Sequence, residues 1–145
     1  MSQALQVIAI AAPFVWLGMV LAISFLETPL KFRAPGISLP LGLGIGRLVF
    51  RALNLAEVGL ATLTTAACLS VRPDRGSWVL LGAAWLLLVV QVAAVRRSLD
   101  RRVSLIVAGQ TPPPSREHVV YIALEIIKVV LLGALGARLI SGELT

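Results

Sequence analysis

Residues 119–140 read VVYIALEIIKVVLLGALGARLI, and this stretch decides the fold. The hydrocarbon core of a bilayer is about 30 Å thick, and a helix of about 20 apolar residues crosses it. Lipid offers no partner for backbone N–H and C=O groups, so the segment must satisfy them itself or join a closed barrel. The alternation typical of barrel strands is missing here. The stretch therefore predicts a membrane-spanning α-helix that carries Glu125 and Lys128 within its apolar length.

Three further segments of the same kind precede it, at about residues 5–26, 45–69 and 78–95. Prolines, glycines and charged residues interrupt the chain between them, as expected of connections between helices. Of the 145 residues, 58% are hydrophobic, compared with about 45–50% in soluble domains. The sequence therefore predicts an all-α membrane protein, a single four-helix transmembrane bundle over residues 1–145.

The basic residues lie mostly on one side of this predicted bundle. The connections and helix ends between the first two segments and between the last two hold nine lysines and arginines, against three on the other side. Cytoplasmic loops carry such an excess of basic residues. We therefore expect an integral protein of the bacterial inner membrane with both termini outside the cytoplasm. The nine are Lys31, Arg33, Arg47, Arg51, Arg96, Arg97, Arg101, Arg102 and Arg116, and the three are Arg72, Arg75 and Arg138.

The net charge of +6 indicates an anionic partner, and the positions of the arginines favour lipid. Basic residues beside the ends of apolar segments meet the phosphate groups of lipids. We therefore expect membrane lipids with anionic head groups as partners, and no nucleic acid. A homodimer and a place in a larger membrane complex are both compatible with the pattern.

Polar residues within the apolar segments point to a candidate site. Each ionisable residue in a membrane helix costs at least about 2.5–3.5 kcal/mol, so such residues face the bundle interior and find partners. At about 100° per residue, the polar residues of the second and fourth segments form one stripe on each helix, and the third segment adds one residue at similar depth. We expect the stripes to meet in an intramembrane polar seam. Its residues are Asn54, Glu57, Gln91, Tyr121, Glu125 and Lys128.

In this seam, Glu57 and Glu125 would compete for Lys128, with Arg51 as a second candidate counter-charge. Two carboxylates against one deep lysine leave a negative charge unbalanced, so one of the acids could carry a proton. Two interpretations stay open. In the functional interpretation, the seam is a proton or ion relay, or a polar binding site. In the structural interpretation, it is a salt bridge that selects one helix packing.

A second candidate site lies around the connection between the first two segments. Gly42, Gly44 and Gly46 lead to Arg47 and Arg51, and the free N–H groups of a helix start favour an anion. Residues 34–46 are unusually apolar for a connection, which leaves two alternatives. Either this connection lies in the membrane interface or re-enters the membrane, or the second helix simply starts early. The residues expected to bind a ligand are Lys31, Arg33, Arg47, Arg51 and His118.

The familiar signatures of catalysis and cofactor binding do not occur. With one cysteine and one histidine, the chain offers neither an internal disulfide nor a bis-histidine haem. No HExxH, P-loop, CxxC or Ser-His-Asp set is present. We therefore expect no metal or other cofactor, and an enzyme is the minority interpretation.

Residues 26–36, LETPLKFRAPG, and the glycine-rich entry to Arg47 resemble a stretch of small, uncharacterised four-span bacterial integral membrane proteins. The resemblance covers about the first 60 residues, implies the same four-helix plan and brings no activity with it. Two functions are therefore expected as alternatives. One is binding or transport of an anionic or amphipathic ligand, coupled to protonation of Glu57 or Glu125. The other is a non-catalytic accessory subunit of a larger membrane complex.

Overall fold

The computed structural model describes residues 3–143, which form four long helices joined by shorter connections. Helix α1 spans Gln3–Lys31, α2 spans Leu39–Val71, α3 spans Arg75–Val107 and α4 spans Glu117–Glu143. No strand occurs within residues 3–143. All four helices are long and apolar enough to cross a membrane, with mean hydropathies between 1.4 and 2.3. The prediction of an all-α chain with four long apolar helices is confirmed.

Helix α2 begins earlier than the apolar segment predicted. The Ser38 side chain caps it by accepting a hydrogen bond from the backbone N–H of Leu41 at 3.3 Å. Pro40 occupies the first turn, where its missing N–H leaves no hydrogen bond unmade. Residues 39–46 therefore form the first turns of α2. Of the two alternatives for this segment, the structure contains the early helix start.

The turn between α2 and α3 is built by local hydrogen bonds. Arg72 adopts a left-handed conformation, with φ of 54°, and its N–H donates to the carbonyl of Cys68 at 2.8 Å. Asp74 then caps α3, accepting from the N–H of Gly76 at 2.8 Å and from the Ser77 hydroxyl at 2.6 Å. Its carboxylate also pairs with Arg138 of α4. The bonds from Arg138 and Ser77 hold the pKa of Asp74 well below its usual range.

The four helices form a ring. Helices that follow one another in the chain are neighbours, and α1 also packs against α4. Helices α2 and α4 therefore occupy opposite corners, as do α1 and α3. Trp16, Val20, Leu88 and Leu132 fill the centre, each at most 1% exposed. Because α2 and α4 face each other across this centre, only long side chains can join them.

Helices α1 and α3 each contain a π-helical segment, at Leu21–Glu27 and Gln91–Val95 respectively. A π-helical turn holds more residues than an α-helical one and so rotates the side chains that follow it. In α1, the Thr28 hydroxyl donates to the carbonyl of Ile23, five residues earlier, at 2.9 Å. Each segment places one polar side chain, Ser24 or Gln91, toward the centre of the bundle.

The outer surface of the bundle is apolar. Large hydrophobic side chains are exposed on every helix, among them Val7 of α1 at 63%, Leu55 of α2 at 76%, Leu86 of α3 and Val119 of α4. The interior, in contrast, buries charged side chains. This distribution is the reverse of the one found in a water-soluble bundle.

Candidate functional site

The centre of the bundle holds a buried cluster of three charged groups. The ammonium of Lys128 lies 2.7 Å from Oε2 of Glu57 and 2.8 Å from Oε1 of Glu125. All three side chains are at most 1% exposed. Glu125 and Lys128 lie one turn apart on α4, whereas Glu57 reaches them from α2 at the opposite corner. With all three groups ionised, this charged cluster has one excess negative charge.

Helix α1 supplies a neutral donor to each carboxylate, and α3 supplies a further one to Glu125. The indole N–H of Trp16 donates to Oε2 of Glu57 at 2.7 Å. The hydroxyl of Ser24 donates to Oε2 of Glu125, and the amide nitrogen of Gln91 donates to its Oε1, both at 2.6 Å. Every helix of the bundle thus contributes to one hydrogen-bond network. Such a network specifies the relative depth and rotation of all four helices.

The two carboxylates are not equally satisfied. Glu125 accepts from Lys128, Gln91 and Ser24, so both of its oxygens have donors. Glu57 accepts from Trp16 and Lys128 through Oε2 alone. Its Oε1 is buried and has no hydrogen-bond partner among the described residues. Glu57 Oε1 is therefore the carboxylate oxygen of the charged cluster that lacks a donor.

A cavity of about 630 Å³ adjoins the charged cluster. It lies at the end of the bundle that holds the connections at residues 32–38 and 108–116, which we call the basic end. Its walls are mostly apolar, and Glu125 is the residue of the charged cluster that lines it. Cavities of about 300–1,000 Å³ with apolar walls and a few polar groups are typical of small-molecule sites. The polar residues that line it are Ser24, Thr28, Arg96, Arg102, His118, Tyr121 and Glu125.

Arg96 and Tyr121 both line the cavity. Arg96 pairs with Asp100 at 3.2 Å, one turn further along α3. Its guanidinium lies 4.9 Å from the centre of the Phe50 ring, within the range of a cation–π interaction. The Tyr121 ring meets the same Phe50 edge-on, with ring centres 5.5 Å apart. Phe50 thus holds both polar side chains against the cavity.

The structure brings most of the expected seam together. Glu57, Gln91, Glu125 and Lys128 are linked by hydrogen bonds, as described above. Asn54 and Tyr121 are also buried, at 9% and 3% exposure. The Asn54 carbonyl oxygen and the Tyr121 hydroxyl have no hydrogen-bond partner in residues 3–143.

Arg51 is not the counter-charge that the sequence suggested. Its side chain is 62% exposed and lies 3.8 Å from Asp100 of α3. Arg47 donates a hydrogen bond to Ser104 of α3 at 2.8 Å. Because α2 begins at Leu39, Arg47 lies well inside the helix, away from the free N–H groups of its first turn. The helix start and the two arginines therefore do not form one anion site.

The remaining basic residues expected to bind a ligand are dispersed. His118 lines the cavity. Lys31 pairs with Glu27 of its own helix at 3.4 Å, and Arg33 is exposed in the connection after α1. Arg96 and Arg102, which the sequence analysis named only among the nine basic residues of one side, also line the cavity.

Sequence reasoning missed Trp16, Ser24 and the Arg96–Asp100 pair. The pair has a recognisable signal, because opposite charges four residues apart share one face of a helix. Trp16 has a weaker one, since a buried indole N–H needs an acceptor. Ser24 has none, because its direction depends on the π-helical segment of α1.

Comparison with known proteins adds no relative to this description. No protein-family profile matches the chain, and neither a curated protein nor a solved structure is similar to it. The functional argument therefore rests on the residues of this chain.

Proposed function

We propose that this chain is an integral membrane protein that binds or transports an anionic or amphipathic ligand through the cavity at its basic end. Four crossings of the bilayer are supported by the exposed apolar side chains and by a charged interior, since charged residues in membrane helices face the bundle and pair. The resemblance to small four-span bacterial membrane proteins remains a prediction that agrees with this plan.

The basic end faces the cytoplasm in this proposal, which places both termini outside it in the inner membrane of a bacterium. The support is the excess of arginine and lysine at that end. Alkaline phosphatase fused to the C terminus is expected to be active, because the enzyme folds only outside the cytoplasm. Green fluorescent protein fused at the same position is expected to stay dark. The opposite pair of results would reverse the orientation.

The observation that carries the ligand proposal is the cavity itself. It combines apolar walls with Arg96, Arg102 and His118, and its volume is about 630 Å³. Apolar walls bury a hydrocarbon tail at about 25 cal/mol per Å², and arginine holds carboxylate or phosphate oxygens. Anionic amphiphiles are therefore the ligands whose two parts both find complementary surfaces here.

Proton coupling is supported by the unequal bonding of the two carboxylates. A proton on Oε1 of Glu57 would remove the excess negative charge and leave Glu125 paired with Lys128. Glu125 lines the cavity, whereas Glu57 does not. A ligand that changes the electrostatic potential at Glu125 would thus affect the proton on Glu57, because both acids share the Lys128 ammonium.

The alternative, an accessory subunit with a purely structural polar network, predicts a bundle without a ligand-sized space. The cavity beside Glu125 favours the binding function. Copurification separates the two, because a subunit should leave the membrane with a second polypeptide at a constant ratio.

The test is native mass spectrometry of the protein extracted gently from its own membrane. The wild type is expected to retain a small anionic amphiphile, and Arg102→Gln is expected to retain less of it, because the variant removes a positive charge from the cavity lining. Arg101→Gln is the matched control, since Arg101 is exposed and does not line the cavity. A second polypeptide at fixed ratio in all three samples, without a small ligand, would replace the binding function by the accessory one.

A further inference from the structure

Two buried donors in the cavity wall have no acceptor. Arg96 and Tyr121 both line the cavity and are 8% and 3% exposed. Neither Nε of Arg96 nor the hydroxyl of Tyr121 has a hydrogen-bond partner in the described part of the chain. A buried donor without an acceptor costs free energy, so such groups are rare and call for an explanation.

Both donors are held in place by one ring. Phe50 lies 4.9 Å below the guanidinium carbon of Arg96 and meets the Tyr121 ring at 87°. Asp100 engages a terminal nitrogen of Arg96 at 3.2 Å and so anchors the far side of the guanidinium. The ion pair uses the terminal nitrogen Nη2, and Nε takes no part in it.

We propose that Arg96 and Tyr121 form the subsite for the head group of the ligand, which is a carboxylate or phosphate monoester on an apolar tail. This inference rests on the proposed function and names the chemistry of its ligand. An oxyanion accepts hydrogen bonds from both donors, and bonds that involve an ionised group are the strong ones. The apolar tail lies along Phe25, Leu43 and Ile122, which line the same cavity.

The state of Glu125 argues against a cationic head group. Both of its oxygens already accept hydrogen bonds, from Lys128, Gln91 and Ser24. Glu125, the carboxylate that lines the cavity, therefore offers no unused oxygen, whereas Arg96 and Tyr121 each have an unused donor. In the structure neighbouring atoms cover the two donors. Binding thus includes a small rotation of Arg96 or Tyr121 that turns its donor toward the ligand.

The experiment is a titration of the full-length protein with decyl phosphate, followed by native mass spectrometry. Tyr121→Phe removes the hydroxyl and keeps the ring against Phe50. Arg96→Lys removes Nε and keeps a positive charge for Asp100. Arg97→Lys, at an exposed position outside the cavity, is the matched control. Decyltrimethylammonium has the same tail but a head group that accepts no hydrogen bond, and inorganic phosphate has no tail.

We expect Tyr121→Phe and Arg96→Lys each to weaken decyl phosphate binding about tenfold to a hundredfold, the range for a lost hydrogen bond to a charged group. Arg97→Lys should bind as the wild type does, and binding of decyltrimethylammonium should be weak and equal in all four proteins. Because the two variants alter different helices, a folding defect in one leaves the other as the test.

Three results would overturn the inference, each in a different way. Wild-type affinity for decyl phosphate in both variants would remove the subsite and leave the proposed function standing. Absence of decyl phosphate binding by the wild type would refute both together. Displacement of decyl phosphate by an equal concentration of inorganic phosphate would keep the two donors but assign them to a free oxyanion, against the amphipathic ligand.

Discussion

Lys128 and Glu57 lie 2.7 Å apart although their helices occupy opposite corners of the bundle. The contact crosses the bundle axis, so it depends on two long side chains rather than on close approach of α2 and α4. Glu125 shares the same ammonium at 2.8 Å. The three groups therefore behave as one unit, and replacing any one of them changes the charge balance of the other two.

Removing the Lys128 ammonium alone should lower the free energy of unfolding. Lys128→Met leaves the buried acids of the cluster without their counter-charge, and losing one partner of a buried ion pair typically costs about 3–5 kcal/mol. Glu57→Gln combined with Lys128→Met should recover part of this loss. Denaturant unfolding in detergent measures both. Arg51→Met is the control, because its exposed pair with Asp100 should contribute no more than about 1 kcal/mol.

If the double variant matches the wild type in stability, the cluster has no net stabilising role. If it also retains ligand binding and transport, the proton-coupled part of the proposal is refuted. A Lys128→Met protein as stable as the wild type would show that the ammonium is not the counter-charge of both acids.

Infrared spectroscopy should detect the proton on Glu57. The wild type should show a carboxylic acid carbonyl band at neutral pH, which disappears in Glu57→Gln. Trp16→Phe should shift this band to higher frequency, because Trp16 donates a hydrogen bond to Oε2 of Glu57. Ser24→Ala removes the equivalent bond to Glu125 and should leave the band in place.

The reverse pattern, a band that moves in Ser24→Ala and not in Trp16→Phe, would place the proton on Glu125. Wild-type protein without any carboxylic acid band would mean that both acids are ionised, and the relay hypothesis would then fail.

A small change between α1 and α2 should disturb the cavity wall. A Cβ on Gly42 would lie 2.3 Å from Cε1 of Phe32, which lines the cavity. Gly42→Ala must therefore displace the Phe32 ring, and we expect weaker binding of decyl phosphate with little loss of stability, because this ring is 38% exposed and has room to move. Gly44→Ala is the matched control, since its Cβ would meet nothing within 4 Å.

Gly44→Ala should bind normally and unfold at the same or a higher denaturant concentration, because alanine favours a helix by up to about 1 kcal/mol over glycine. Equal binding by the two variants would contradict the assignment of Phe32 to the binding cavity.

The far end of the bundle provides a pH prediction. Hydrogen bonds from Arg138 and Ser77 lower the pKa of Asp74, so its ionised form is favoured by folding. The stabilisation is fully present above the pKa of an unfolded aspartate, about 3.9, and is lost as pH falls through the lower pKa of the folded state. Asp74→Asn keeps a capping side chain and removes the charge.

Asp74→Asn should therefore melt at a lower temperature than the wild type between pH 5 and pH 8, by a small and constant amount. The ion pair is about half exposed, with side-chain values of 51% and 49%, which limits its effect. The difference should shrink as pH falls below about 3.9. A difference that grows on acidification would contradict the sign of this linkage.

Some of this structure was predictable from the sequence because it follows from local rules. The apolar length of residues 119–140 and of three similar segments predicted four long helices. The helical period placed Glu125 beside Lys128, and matching depth placed Glu57 opposite them. These inferences need only the rise per residue, the angle per residue and the cost of an isolated charge in an apolar medium.

What the sequence determined was therefore which residues are apolar enough for the outside and which polar residues must find partners inside. Only the tertiary structure decided which residues become those partners. Trp16 donates a hydrogen bond to Glu57, Ser24 donates one to Glu125, and Arg51 pairs with Asp100. These contacts depend on how each helix is rotated and displaced against its neighbours. Rotation and displacement result from packing over the whole bundle, including two π-helical segments, and spacing along a single helix carries no information about them.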